Sequence, residues 1–315
     1  MSLIAAVDLG GTHLRVGWWR DDDWIDRRTE PSRRSAGTAG LVEQLVQAVR
    51  SGPAADGLVV ATAGTLRPAS GHVVQAANLP LRQVDLRRIL SQRLGLPVAV
   101  LGDAAAATVA EFARGAGRGC DHGVFVTVST GIGSGFVTAG ALVTGADDQA
   151  GELGHIPVCL GPEASRCPCG QRGCLETVAS GSGLVARWAE AGGGAGDSPA
   201  LMAAAQAGRE PARAIVERGA THLGAALVSM IRLFSPEVVV LGGGLAGSAF
   251  YVGRVEAALE SVSAGSLPRA VQLIRPAQCQ PSSALVGAAL AGSGDPAATR
   301  LLRRSGFRIQ LEAFR

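Results

Sequence analysis

Short apolar runs alternate with turn residues along this chain, and the hydrophobic spacing switches between strand and helix periods. Leu3–Asp8 reads as a buried strand, Gly10-Gly11-Thr12 as a tight turn and Leu14–Trp19 as a returning strand. Together they predict a hairpin with glycine at its tip. Leu41–Arg50 has helical spacing of apolar residues, and Gly57–Ala61 and Val98–Leu101 read as further strands. Asp103 opens a helix through Arg114, stopped by the glycines at 115, 117 and 119.

The second half begins in the same way. Val124–Ser129 reads as a strand, Gly131–Gly135 as a turn and Phe136–Val143 as a second extended piece. A loop-rich, cysteine-containing region follows at 155–174, then a glycine-rich linker at Ala191–Ser198 and a long helix over about 211–234. The strand Val238–Leu241 ends in the turn Gly242-Gly243-Gly244. Strands alternating with helices predict an α/β fold with a largely covered sheet. Strand, glycine turn, strand occurs once near the start of each half, which suggests a duplicated topology despite negligible identity between the halves.

Composition narrows the function classes. With 315 residues, 47% apolar and 17% charged, the chain has room for one large or two ordinary domains with real cores. Net charge is +3 and the basic residues are scattered, unlike the basic stripe of a nucleic-acid binder. All 29 basic residues are arginine, so a Walker-type phosphate loop and a Schiff-base mechanism, which need lysine, are excluded. No stretch approaches the roughly 20 uninterrupted apolar residues of a membrane helix. The N-terminus lacks a basic region and a cleavage pattern, so no signal peptide and a cytoplasmic location are expected. Three of the six cysteines fall within eight residues, which in a reducing compartment points to metal before disulfide.

The candidate chemistry lies in a few short segments. Glycine turns let backbone N–H groups approach phosphate oxygens, since no Cβ intervenes. Each alone reads first as a plain hairpin turn. The dinucleotide-binding alternative needs a helix directly after the glycines, and neither hairpin loop is followed by one. Asp8, at a strand end, could hold a hydrated Mg²⁺ or merely form the turn. Asp103 could be a helix N-cap or a general base for a substrate hydroxyl. Cys167, Cys169 and Cys174, with His155 twelve residues before the first, make a closed Cys₃His set suited to structural zinc. Glu152 and Glu176 flank that cluster and could accept hydrogen bonds from sugar hydroxyls, or stand as solvated acids.

Taken together, these segments resemble the ROK family of bacterial sugar kinases, within the actin-like ATPase superfamily, from Asp8 to about Ala291. Asp8-Leu9-Gly10-Gly11-Thr12 and Ser129-Thr130-Gly131-Ile132-Gly133-Ser134-Gly135 match its two phosphate motifs. Gly151-Glu152-Leu153-Gly154-His155-Ile156 and the run Cys167–Glu176 match its signature pieces, and Val239–Gly244 resembles its adenosine motif.

The resemblance implies a two-domain, ribonuclease H-like kinase that closes an interdomain cleft over ATP, Mg²⁺ and a sugar. The expected domains are 1–117 with 292–315, and 118–291 bearing the zinc loop. Asp103 would be the base, while Asn78, Gly102, Glu152, His155 and Glu176 would line the sugar. Asp8, Gly10, Gly11, Thr12, Thr130, Gly131, Gly133, Gly242, Gly243 and Gly244 would hold the nucleotide. His155 would also join Cys167, Cys169 and Cys174 on Zn²⁺. A homodimer or homotetramer is implied, with no nucleic-acid or membrane partner.

One departure stands at the base. The family's Asn-Asp-Ala-Asn run appears as Gly102-Asp103-Ala104-Ala105, which removes a side chain that would bind a sugar hydroxyl. Such a hydrogen bond is worth on the order of 1 kcal/mol or more. Besides a glucokinase-like activity, the alternatives are an amino sugar or a C7-cyclitol of secondary metabolism as acceptor, and a catalytically silent sugar sensor. The first phosphate motif opens at residue 8, which disfavours a regulator with a preceding DNA-binding domain. A dehydrogenase would leave the Cys₃His cluster without a role.

Overall fold

The computed structural model describes residues 2–67, 69–146, 149–162, 164–194, 196–267, 271–279 and 282–314. The chain divides into two compact units, one of residues 1–121, 135–150 and 278–315 and one of residues 122–134 and 151–277.

The first unit opens with β1 (Ile4–Leu9), β2 (His13–Arg20) and β3 (Asp23–Pro31), followed by α1 (Gly37–Arg50) and β4 (Gly57–Thr62). A small antiparallel sheet of β5 (Thr65–Arg67), β6 (His72–Gln75) and β7 (Arg82–Asp85) then leads to α2 (Leu86–Leu94), β8 (Val98–Gly102) and α3 (Asp103–Ala113). The main sheet runs in the order β3-β2-β1-β4-β8. β1 pairs antiparallel with β2 and parallel with β4, and β4 pairs parallel with β8. Every residue of β1 and β4 is buried, as expected of central strands covered on both faces. Leu41, Leu45, Leu86, Leu90 and Trp18 are fully buried in the core they share.

Next come β9 (Gly123–Val128), β10 (Ile132–Thr138), β11 (Ala141–Val143), α4 (Glu176–Ala179), α5 (Gly181–Glu190), α6 (Ser198–Gln206) and α7 (Ala212–Phe234). The chain finishes with β12 (Val238–Gly242), α8 (Ala249–Ser263), β13 (Ile274–Pro276), α9 (Ser283–Ser293), α10 (Pro296–Leu302) and α11 (Phe307–Leu311). The second sheet runs β11-β10-β9-β12-β13. With strands numbered within each sheet, both run 3-2-1-4-5, so the suspected duplication is present in the strand order. In the second unit, β12 runs parallel to both β9 and β13. α7 packs on α4, α6 and α8 there, and the buried Tyr251 Oη donates to the Ala179 carbonyl at 3.1 Å.

Several expectations need correction. Ile132–Gly135 is strand rather than turn, because β10 starts directly after Gly131. The extended piece Phe136–Val143 is in fact a hairpin. Ala139 and Gly140, both at positive φ, reverse the chain and pair Phe136 with Val143. The helix cap before α3 is Gly102, and Asp103 is the first helical residue. The unit boundaries also differ, since 135–150 and 278–291 fall in the first unit. The reason is packing: α9 lies on α3, β1 and β4, while β11 lies against α10. The tail after Gly294 folds onto this unit too, with the Gln310 side-chain amide bonding both the N–H and C=O of Val100 at 2.9 and 3.1 Å. The expected linker at 191–198 does separate α5 from α6, although its residue 195 lies outside the described residues.

Candidate active site

In the first unit the candidate groups gather where the parallel strands end. Leu9, Thr62 and Gly102 stand in register across β1, β4 and β8. Asp8 therefore precedes this row and Asp103 follows it, two strand spacings apart, roughly 10 Å. Ligands of α/β sheets collect at such carboxyl ends.

Asp8 is buried and faces Arg15, its cross-strand partner, with Nη1 2.9 Å from Oδ2. The same oxygen accepts from Ser282 Oγ at 2.8 Å, at the start of α9. Both partners were missed from sequence. Arg15 had a readable signal, because it mirrors Asp8 about the Gly10–Thr12 turn, whereas Ser282 is 274 residues away. The turn itself is closed by Gly10 N–H donating to the His13 carbonyl at 3.0 Å. Asn78 packs on it, since a Cβ at Gly11 would come within 2.9 Å of Asn78 Cβ. Asn78, Gly10 and Gly11 are partly buried and Thr12 is exposed.

Asp103 is partly buried, and its Oδ1 accepts from the Ala104 N–H at 2.8 Å. Gly102 is extended, with φ −67° and ψ 140°, a conformation open to any residue. A Cβ there would meet only Ala105 Cβ at 3.8 Å and Leu66 Cδ1 at 3.9 Å.

In the second unit the remaining candidates converge near the end of β9. The turn Ser129–Gly131 is closed by Ser129 N–H donating to the Gly131 carbonyl at 2.9 Å. Glu176 Oε2 accepts from the Ile132 N–H, also at 2.9 Å. A Cβ on Gly131 would run into that carboxylate oxygen, so a side chain there must displace Glu176. The 151–156 segment lies against the same strand, with Ser134 Oγ donating to the Gly151 carbonyl at 2.6 Å. Gly243 takes φ +88° beside the Val128 carbonyl, which brings the Gly242–Gly244 turn to the end of β9 as well. Gly133 is partly buried within β10.

The loop carrying the cysteines is folded tightly. Cys167 N–H donates to the Gln171 carbonyl at 2.8 Å, and Gly170 N–H to the Cys167 carbonyl at 2.9 Å. The ligand atoms of His155, Cys167, Cys169 and Cys174 all lie within 4.8 Å of one another. Cys169 Sγ is 3.7 Å from Cys174 Sγ, and Cys167 Sγ is 3.6 Å from His155 Nδ1. Tetrahedral Zn²⁺, with Zn–S of about 2.3 Å and Zn–N of about 2.0 Å, requires edges of about 3.8 and 3.5 Å. The donor set fits zinc. Burial raises the Cys167 thiol, and burial together with Cys169 and Cys167 pushes Cys174 up to about 12. A bound cation is what would hold them as thiolates near neutral pH.

His155 Nε2 faces away from Cys167, 3.7 Å from Glu152 Oε2. Loss of solvent raises the pKa of Glu152; His155 opposes this and Glu176 adds to it. Glu152, His155 and Glu176 thus form one polar group beside the cysteine cluster.

The chain matches the ROK family over residues 4–293. It is 35% identical over 262 residues to the glucokinase of Thermotoga maritima, covering 77% of this chain and 82% of that one. It is 34% identical to the N-acetylmannosamine kinase of Citrobacter koseri, covering 92% and 98%. The ROK glucokinase of Streptomyces griseus, solved with glucose and AMPPNP, superposes with a TM-score of 0.78 at 28% identity, over 91% and 98% of the two chains. No helix among the described residues is long and apolar enough to cross a membrane. With its actin-like ATPase fold, this chain belongs to the ROK family.

Proposed function

We propose that this chain is an ATP-dependent kinase that phosphorylates a hydroxyl of a hexose or hexose-like polyol. The observation that carries the reading is the row of strand ends in the first unit, where Asp8 and Asp103 stand two strands apart in a member of a family with sugar-kinase relatives.

In this reading Asp103 accepts the proton of the acceptor hydroxyl as its oxygen attacks the γ-phosphorus and ADP leaves. Phosphoryl transfer asks little covalent help of a protein, only alignment and charge neutralisation. Backbone N–H groups of the Gly10–Thr12, Thr130–Gly131 and Gly242–Gly244 turns, with Gly133 on β10, hold the nucleotide, which explains how a chain without lysine can do so. Asp8 presents a hard oxygen suited to Mg²⁺, which when bound neutralises phosphate charge. Asn78, Glu152, His155 and Glu176 take sugar hydroxyls, with His155 using Nε2. His155 Nδ1, Cys167, Cys169 and Cys174 would hold Zn²⁺, which when bound would fix the segments that bear Glu152, His155 and Glu176.

A second reading concerns the acceptor alone. The open space at Gly102, and the relatives named N-acetylmannosamine kinase, favour a ring other than plain glucose, such as an amino sugar or a cyclitol. A coupled ADP assay over glucose, N-acetylmannosamine and cyclitols tests both. Acceptor-dependent ADP release supports the kinase, and glucose as best substrate removes the second reading. A chain that binds sugars but releases no ADP with any of them would be a sensor.

A further inference from the structure

We infer that Glu176 is a positioning residue for the nucleotide as well as a sugar ligand, its carboxylate joining the acceptor-binding group to the second phosphate turn. The inference rests on the proposed function, its sugar half on the acceptor group and its nucleotide half on the phosphate turn.

The geometry assigns the two oxygens different tasks. Oε2 accepts the Ile132 N–H at 2.9 Å, and Gly131 lies directly against the carboxylate, so a side chain there must push it aside. Oε1 accepts no hydrogen bond from the described residues, which leaves it for a sugar hydroxyl. The segment just after Glu176 grips the other limb of the same turn. Gly181 N–H donates to the Ser129 carbonyl at 2.7 Å, and Ser182 donates to the Thr130 carbonyl through N–H at 3.2 Å and Oγ at 2.6 Å. Residues 176–182 therefore wrap around residues 129–132. Two residues before Glu176 stands Cys174, one of the four clustered ligands. Movement of the carboxylate toward or away from a sugar must move the Ile132 N–H, and with it the turn. A freely solvated acid at position 176 would have no such consequence.

The inference predicts effects that cross between motifs. Gly131→Ala, in the phosphate turn, displaces the Glu176 carboxylate and raises KM for the sugar at least fivefold. Glu176→Asp, in the sugar group, withdraws the carboxylate from Ile132 and raises KM for ATP at least threefold. The double variant is less impaired in both than the product of the single effects, because the shorter acid makes room for the new methyl. Binding of a non-hydrolysable ATP analogue with Mg²⁺, measured by calorimetry with no sugar present, isolates the nucleotide half. Glu176→Ala weakens it at least fivefold, and Glu176→Gln, which keeps an oxygen for Ile132, weakens it less. Equal analogue affinity in the wild type and Glu176→Ala overturns the inference, as does a cycle whose effects stay within their own motifs and multiply. Absence of sugar-dependent turnover in the wild type would instead remove the kinase reading, and the calorimetric comparison would still decide this one.

Discussion

His155 Nδ1 lies 3.6 Å from Cys167 Sγ, and this pairing decides which edge of the imidazole is left for other work. With Nδ1 toward the cysteines, Nε2 is turned to Glu152, so one histidine can serve the metal and the sugar together. Under the proposed function, a zinc ion on this loop would support the acceptor site rather than supply reactivity.

Metal removal should accordingly act on the sugar first. Zinc analysis is expected to find one ion per chain, lost in Cys169→Ser with a lowered Tm. In that variant, KM for the sugar rises at least tenfold while KM for ATP changes less, consistent with the usual effect of disturbing the support of ligating residues. Equal zinc content and unchanged kinetics in Cys169→Ser would contradict the assignment.

Gly102→Asn is expected to fold, since the backbone there is extended and a Cβ finds only van der Waals neighbours. The new amide would supply a hydrogen-bonding group beside Asp103, worth about 1 kcal/mol to a matching hydroxyl. The ratio of kcat/KM for glucose over the best acceptor of the wild type should rise about fivefold. An unchanged ratio would show that this position does not select the acceptor.

The fold of the first unit depends on a buried carboxylate outside the catalytic groups. Glu111, fully buried on α3, accepts from the N–H of Ala116 at 3.0 Å, of Cys279 at 2.8 Å and of Gln278 at 3.1 Å, and from Ser283 Oγ at 2.8 Å. It ties the end of α3 to the start of α9. Glu111→Ala strands the buried Ala116 N–H and three partly buried donors, so urea unfolding should show a loss of about 3 kcal/mol or more, with the isosteric Glu111→Gln losing less. The neighbouring Cys279 thiol, pushed up to about 12 by burial and by Glu111, is expected to react slowly with thiol reagents in the wild type and faster in Glu111→Ala.

What could be read from the chain beforehand follows from sequence distance. The β1–β2 hairpin with its Gly10–Thr12 turn and the Cys167–Cys174 cluster are local, and their spacing alone exposed them, whereas the equally local Phe136–Val143 hairpin read as one extended piece. Asp8 and Asp103 were legible as acids at strand ends because short apolar runs lead into both. The Gly131–Gly135 segment misled, because glycines chosen for close approach to Glu176 and Thr108 look the same as glycines chosen for a turn. Ser282 at Asp8, Glu111 at Cys279 and Glu176 at Ile132 join segments 44 to 274 residues apart, and no periodicity records such pairs. The unit boundaries failed for the same reason, as α9 returns to α3 and β1 from the far end of the chain.

The role of Asp103 is tested most directly by comparing wild type and Asp103→Asn in sugar-dependent ADP release, with calorimetric binding of the sugar and of the ATP analogue measured in parallel. General-base catalysis contributes about 10²- to 10⁴-fold, so kcat should fall by at least that lower bound while both affinities stay within about threefold. An Asp103→Asn variant that retains wild-type turnover would show that another group, or none, takes the proton.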